Sequence, residues 1–197
     1  ADEYLVSDPV FDHLERIKTA DLKKARFAKG FSAPKGLVHY PIDIPDRIDL
    51  KRLIKQSIKK TVHMMLHAPL PWIGIKGINH LARKVARLSR EQNDRYTRHF
   101  LGNIVRMQEE IGTGGGGFRF MYAAFLQEAH KTLDMPVLKE ASDKMTAAGD
   151  SWRMFALECA KVVKNQKAKV DLPEIAQILR TCGESEKQIY RMLKTVK

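Results

Sequence analysis

The segment of this chain richest in chemical possibility is a run of glycines. Five of the six residues from Gly112 to Gly117 lack a side chain. Such a loop reaches φ > 0 freely and lets backbone approach a ligand closely. The apolar spacing of Phe118, Met121, Tyr122, Phe125 and Leu126 predicts a helix directly after it. The first amides of that helix would point toward the loop, where unsatisfied N–H groups and the helix dipole favour an anion. Arg119, in the first turn, would add positive charge. No Gly-Lys-Ser/Thr follows, so this is not a Walker loop, and no strand precedes it, so it is not a dinucleotide fingerprint. The other reading is a tight helix–helix crossover in which glycine permits close packing. Spacing alone does not choose between them.

Other reactive residue types are sparse. Asp8, in Asp8-Pro9, would end a short strand, a place from which a carboxylate can orient a catalytic histidine; an Asp-Pro is also an ordinary turn. Cys159 and Cys182 are the only cysteines. They offer neither a disulfide framework nor a metal-ligand spacing, which suits a reduced, cytoplasmic setting. His63 and His67 are the one histidine pair four residues apart, and a zinc site would need further ligands beside them. That pair reads as helix surface, and neither metal nor cofactor is expected.

The elements that must position these residues follow from the apolar period. Glu3 to Ser7 reads as a strand. Thr19 caps a short helix to about Lys29, and Gly30 ends it. Pro34, Gly36, Pro41 and Pro45 mark a connector with room for an edge strand from Val38 to Ile44. From Asp46 the period becomes helical. Leu50, Leu53, Ile54, Ile58, Val62 and Met65 stripe one helix of about five turns, and Lys51, Arg52, Lys55, Lys59 and Lys60 cover its other face. A second helix carries Ile78, Leu81, Val85 and Leu88. A third, from Asn93 to Ile111, places Phe100, Ile104 and Met107 inward. After the glycine run comes a helix to about Leu133. Pro136 opens the next, with Leu138, Ala141 and Met145 inward; Gly149 is a candidate kink before Trp152, Phe155, Ala156, Cys159 and Val163. Lys164 to Lys169 reads as an exposed basic linker. Two short helices, Leu172 to Cys182 and Ser185 to about Val196, close the chain, with Gly183 in the turn. The last carries Lys187, Arg191 and Lys194, so a helix-turn-helix contacting phosphates stands beside a plain helical hairpin. The fold class is mainly α, a bundle of about six to eight helices with a short N-terminal strand segment.

Composition narrows the class of partner. The 44% hydrophobic content against 29% charged residues is that of a folded globular chain. No apolar run approaches the roughly 20 residues of a membrane span, so no membrane partner is expected. Thirty-five Lys and Arg against 23 Asp and Glu leave +12, which favours acidic partners. Ala1-Asp2-Glu3-Tyr4 has neither a signal pattern nor an initiator methionine, so the numbering is expected to begin inside a larger product or after a removed segment.

Several blocks together resemble the BtrH-type proteins, the family of butirosin biosynthesis protein H. Tyr4-Leu5-Val6-Ser7-Asp8-Pro9-Val10-Phe11 looks like the last strand of that family's papain-like N-terminal domain. Leu22 to Phe31 is similar to the Leu-x-x-Ala-Arg-x-x-Lys element after it. Gly112 to Gly116 with Phe118, Arg119, Tyr122, Phe125 and Leu126 resembles the signature of its helical C-terminal domain, with one extra glycine before Phe118. Trp152 and the segment from Glu186 to Leu193 also fit. The resemblance implies residues 1–45 as the end of a papain-like α+β domain plus connector, and 46–197 as the helical domain. It implies a cysteine-dependent acyltransferase that moves an acyl group from a carrier-protein thioester to an amine. There a Cys thiolate attacks, a His activates it and an Asp orients the His. The Cys and His would precede Ala1 in a catalytic domain missing from this chain, so the chain alone should be inactive. Asp8 matches the orienting residue. Gly114, Gly115, Gly116, Arg119 and Tyr122 become the substrate-binding candidates, and an acidic acyl carrier protein the partner. The alternative is a non-enzymatic helical module that binds nucleic acid through its C-terminal helices, or one that forms a homo-oligomer.

Overall fold

The computed structural model describes residues 2–8, 11–30, 33–43, 45–90, 93–111, 114–165 and 171–196. The chain is mainly helical, with seven α-helices among these residues and one two-stranded antiparallel sheet near the start. It forms two compact units, Ala1–Ile48 and Asp49–Lys197.

The first unit is a hairpin and one helix. Strand β1 (Glu3–Val6) pairs with β2 (Glu15–Lys18), Glu3 opposite Lys18 and Val6 opposite Glu15. The charged β2, Glu-Arg-Ile-Lys, carries little strand propensity and was not expected. Helix α1 (Thr19–Arg26) begins where the hairpin closes. Thr19 is therefore its first residue rather than its cap, and its N–H donates to the Asp2 carbonyl at 2.9 Å. The edge strand expected from Val38 to Ile44 is absent from its described residues, and Ile44 lies outside them. Pro41 removes one ladder donor from that stretch.

The second unit is the helical bundle. Helix α2 (Leu50–His67) starts at Asp49, whose carboxylate accepts from the Arg52 N–H at 3.0 Å. It buries Ile54, Ile58 and Val62, and fully burying a side chain such as Ile58 contributes about 1.5–3 kcal/mol. Leu53, expected in the core, is 42% exposed because it lies at the edge of that stripe. Helix α3 (Gly74–Leu88) buries Ile75, Ile78, Ala82, Val85 and Leu88. Helix α4 (Asp94–Val105) is capped by Asn93 and runs into a π-helical turn, Arg106–Glu110. One extra residue in a turn rotates later side chains by about 100°. Met107 is exposed for that reason and Gln108 is buried, the reverse of the simple helical reading.

A 3-10 turn, Gly116–Phe118, leads into α5 (Arg119–Leu133). Helix α6 (Pro136–Val163) is continuous over 28 residues. Gly149 does not divide it. Its missing Cβ makes room for Phe120, whose ring would lie 2.8 Å from an added carbon. Helix α7 (Leu172–Leu193) is also continuous, so the two closing helices with a turn at Gly183 are one helix. Gly183 instead lets α7 approach Ile78 of α3, whose Cγ2 would stand 3.2 Å from a Cβ. Of the polar linker expected from Lys164 to Lys169, residues 166–169 lie outside the described set. No strand follows Pro71 among the described residues.

Candidate functional site

The described part of the glycine run is left-handed throughout. Gly114, Gly115, Gly116 and Gly117 have φ of 67°, 81°, 56° and 56°, and Phe118 follows at 69°. Gly112 and Thr113 lie outside the described residues. The demand on the first four positions is therefore backbone conformation, which glycine meets without strain. Space is a second demand. A Cβ on Gly115 would meet the Arg153 guanidinium at 2.8 Å, and one on Gly116 would meet the Phe120 ring at 3.0 Å.

The anion that the loop was expected to attract is supplied from within. The Gly116 N–H donates to Glu109 Oε1 at 3.1 Å. Gln108 Nε2 donates to the same oxygen at 2.9 Å and to the Trp152 carbonyl at 2.8 Å. Arg153 approaches Glu109 Oε2 at 3.9 Å and covers the Phe120 ring at 4.6 Å. The π turn is what brings Gln108 and Glu109 to the loop. Gly115 and Gly116 thus belong to a closed polar and aromatic cluster, while Gly114 is exposed beside Met121.

Arg119 is likewise engaged. Its Nε and Nη2 donate to the two carboxylate oxygens of Glu186 at 2.9 and 3.3 Å, and Nη1 donates to the Gly117 carbonyl at 2.8 Å. Its guanidinium lies 4.2 Å from the centre of the Trp152 ring. The Glu186 side chain is fully buried and also accepts from Trp152 Nε1 at 2.5 Å. This network joins α5, α6 and α7 at one point. Sequence reading missed Glu186 as its centre, although a signal was present. Cys182, Glu186, Ile189 and Leu193 share one helical face, and a carboxylate on such a face requires a partner. Placing a turn at Gly183 broke that register.

Beside this network lies a cavity of about 250 Å³ walled by Met65, Gly117, Phe118, Arg119, Tyr122, Met145 and Tyr190. It unites Arg119 and Tyr122 among the expected site residues; Gly114, Gly115 and Gly116 are not on its wall. The Tyr122 ring stacks on Phe125 at 5.8 Å and meets Tyr190 at 6.0 Å. Its hydroxyl is buried, and its nearest hydrogen-bonding group, Thr61, does not reach it in good hydrogen-bond geometry. Burial pushes it up to about 12, and Thr61 tempers the rise. The cavity therefore offers a largely apolar wall beside the Arg119 guanidinium, with the Tyr122 hydroxyl buried behind it.

The remaining candidates lie elsewhere. Asp8 is exposed just past β1, and its carbonyl accepts from the Phe11 N–H at 3.1 Å. Cys159 and Cys182 are fully buried. Burial pushes both thiols up to about 12, with help from Glu158 and Glu186 respectively. Neither is a nucleophile at neutral pH. His63 and His67 sit 5.7 Å apart on α2. No group of three or more His, Cys, Asp or Glu that could hold a metal occurs among the described residues. No helix among them is long and apolar enough to cross a membrane.

Fold and site together define a helical-bundle protein with a small, largely apolar cavity next to a buried ion pair. The chain belongs to the family described as Domain of unknown function (DUF4872), whose model matches residues 20–193. Neither the curated proteins nor the solved structures give a match.

Proposed function

We propose that this chain is the helical part of a BtrH-type, cysteine-dependent acyltransferase, and that the cavity beside Tyr122 receives the acyl group. The observation carrying this reading is the apolar cavity walled by Met65, Met145, Tyr122 and Tyr190, with the buried Tyr122 hydroxyl just behind its wall. A ligand oxygen that draws the Tyr122 hydroxyl into the cavity would gain a hydrogen bond worth about 1 kcal/mol. An acyl chain has such an oxygen and an apolar tail, and each methylene buried against Met65, Met145 and Tyr190 adds about 0.8 kcal/mol. Arg119 holds the floor through Glu186 rather than serving as a free anion receptor.

In this reading the nucleophilic Cys and the activating His come from the papain-like half that the resemblance places before Ala1. Asp8 would orient that His. Neither Cys159 nor Cys182 substitutes for the nucleophile. The basic excess would favour an acidic acyl carrier protein as donor. The alternative is a helical interaction or self-association module, for which Phe118 and Met121, 53% and 58% exposed next to the glycine turn, provide apolar contacts. The nucleic-acid version of that alternative loses its helix-turn-helix, because α7 is a single helix.

Titration with a short acyl thioester of N-acetylcysteamine tests the reading. Wild type should bind saturably. Tyr122→Phe should keep the fold and lose about tenfold in affinity, about 1.4 kcal/mol. Equal affinity for the two proteins would remove the acyl-site reading.

A further inference from the structure

A second concavity, away from Tyr122, is built from cations. The C-terminal end of α2, the first half of α3 and the last turns of α7 enclose about 300 Å³. Lys76, Lys187, Arg191, Lys194 and His67 reach its wall, with Asn79 as a neutral donor, and no carboxylate lines it. Lys187, Arg191 and Lys194 follow at i, i+4 and i+7, so α7 stacks three cations on one face. Like charges so placed repel, and of the three, only Lys187 has a carboxylate partner among the described residues, Glu184 at 3.1 Å. Lys76 Nζ donates one hydrogen to the Ala68 carbonyl at 3.1 Å and keeps two more.

Helix dipoles account for part of this charge. Arg191 and Lys194 stand at the C-terminal end of α7 and His67 at that of α2, where cations are favoured. Lys187 lies almost two turns before the end of α7, and Lys76 is in the first turn of α3, where a cation is disfavoured. Lys187 is beyond the reach of the α7 dipole, and Lys76, disfavoured in its own helix, is held at the C-terminal end of α2 by the Ala68 carbonyl; both line the cavity. The floor is apolar, from Leu66 and the buried Ile75.

We infer that this cavity is a phosphate site that takes the dianionic head of a phosphomonoester, with its carbon end on Leu66 and Ile75. The guanidinium of Arg191 supplies the fork that matches two phosphate oxygens, and the ammonium groups of Lys76 and Lys187 supply point charges. The inference rests on side chains that the acyl-site reading does not use, and either can fail without the other.

Calorimetric titration of the full chain tests it, with inorganic phosphate and glycerol 3-phosphate as probes and sodium chloride at matched ionic strength as background. The expected result is saturable 1:1 binding of both probes. Glycerol 3-phosphate binding tighter than inorganic phosphate would mark a free phosphomonoester as ligand; equal binding would mark a phosphate whose carbon end is presented by a macromolecule. The Lys187→Ala/Arg191→Ala pair should weaken binding at least tenfold, and Lys55→Ala/Lys59→Ala on the exposed face of α2 should leave it unchanged. Should the α7 pair lower helicity, Lys187→Gln alone, which removes the charge but keeps a long polar side chain and good helix propensity, should still lose at least threefold. Heats that do not saturate, or equal losses in the α2 and α7 pairs, would overturn the assignment and leave only diffuse charge.

Discussion

Glu186 and Arg119 show how one pair of side chains can decide what a loop is for. A buried carboxylate held by a guanidinium and an indole N–H is costly to break, because removing one partner strands a charge. Arg119→Ala should therefore destabilise the bundle by about 3–5 kcal/mol in urea unfolding. Adding Glu186→Gln to that variant should return part of the loss, and strict additivity of the two changes would contradict a direct ion pair. Protons give a second residue-scale test. Tyr122 is raised from 10.0 to about 12, and Cys159 and Cys182 from 9.0 to about 12. Each keeps its proton in the folded state after the unfolded chain has lost it. Their stabilising effect is complete below about pH 9 and is lost as the pH rises toward 12. Each group contributes a slope of about 1.4 kcal/mol per pH unit within its window. Unfolding free energies at pH 8, 9.5 and 11 should fall in that order. Cys159→Ala should flatten the early part of the fall, where thiols titrate before phenols.

At the scale of elements, two glycines changed meaning once neighbours were known. Gly149 looked like a break because glycine is a poor helix former. In the fold it faces Phe120, which is clamped from its other side by Gly116. Gly149→Ala gains about 1 kcal/mol in helix propensity but forces a carbon to 2.8 Å from that ring. The net effect should be a loss of about 1–3 kcal/mol, as in other overpacked cores. In a Phe120→Leu background the same change should become neutral or favourable, a sign reversal visible in thermal melts. Gly183 looked like a turn for the same reason, and the helical phase of Ile175, Leu179, Cys182, Glu186 and Ile189 through it was the stronger signal. Apolar stripes made α2, α3, α5 and the start of α6 legible from the sequence. The π turn after Val105 was not legible, because an inserted residue leaves no composition mark and appears only as Gln108 facing in. The charged β2 was hidden for a similar reason: hairpin pairing, not propensity, makes it a strand. Of the site, Arg119 and Tyr122 were marked by their place after the glycines. Glu186 and Trp152 were not seen as partners of Arg119, nor Trp152 as that of Gln108, since those contacts span many residues of chain.

The whole molecule separates a small β–α unit from a bundle with its own core, the contacts dividing at Ile48 and Asp49. Residues 49–197 alone should therefore unfold cooperatively with helicity close to that of the bundle in the full chain. The proposed role gives the bundle the acyl cavity and leaves covalent chemistry to a partner domain, so binding is the property to measure on this chain. Methionine methyl groups provide direct reporters. Met65 and Met145 wall the cavity, whereas Met154 is exposed on α6 and does not line it. With methyl-labelled methionine, titration by a short acyl thioester of N-acetylcysteamine should shift the Met65 and Met145 resonances along one saturable curve and leave Met154 still. Unmoved Met65 and Met145 signals, or a shift of Met154 equal to theirs, would contradict the assignment of this cavity to an acyl group.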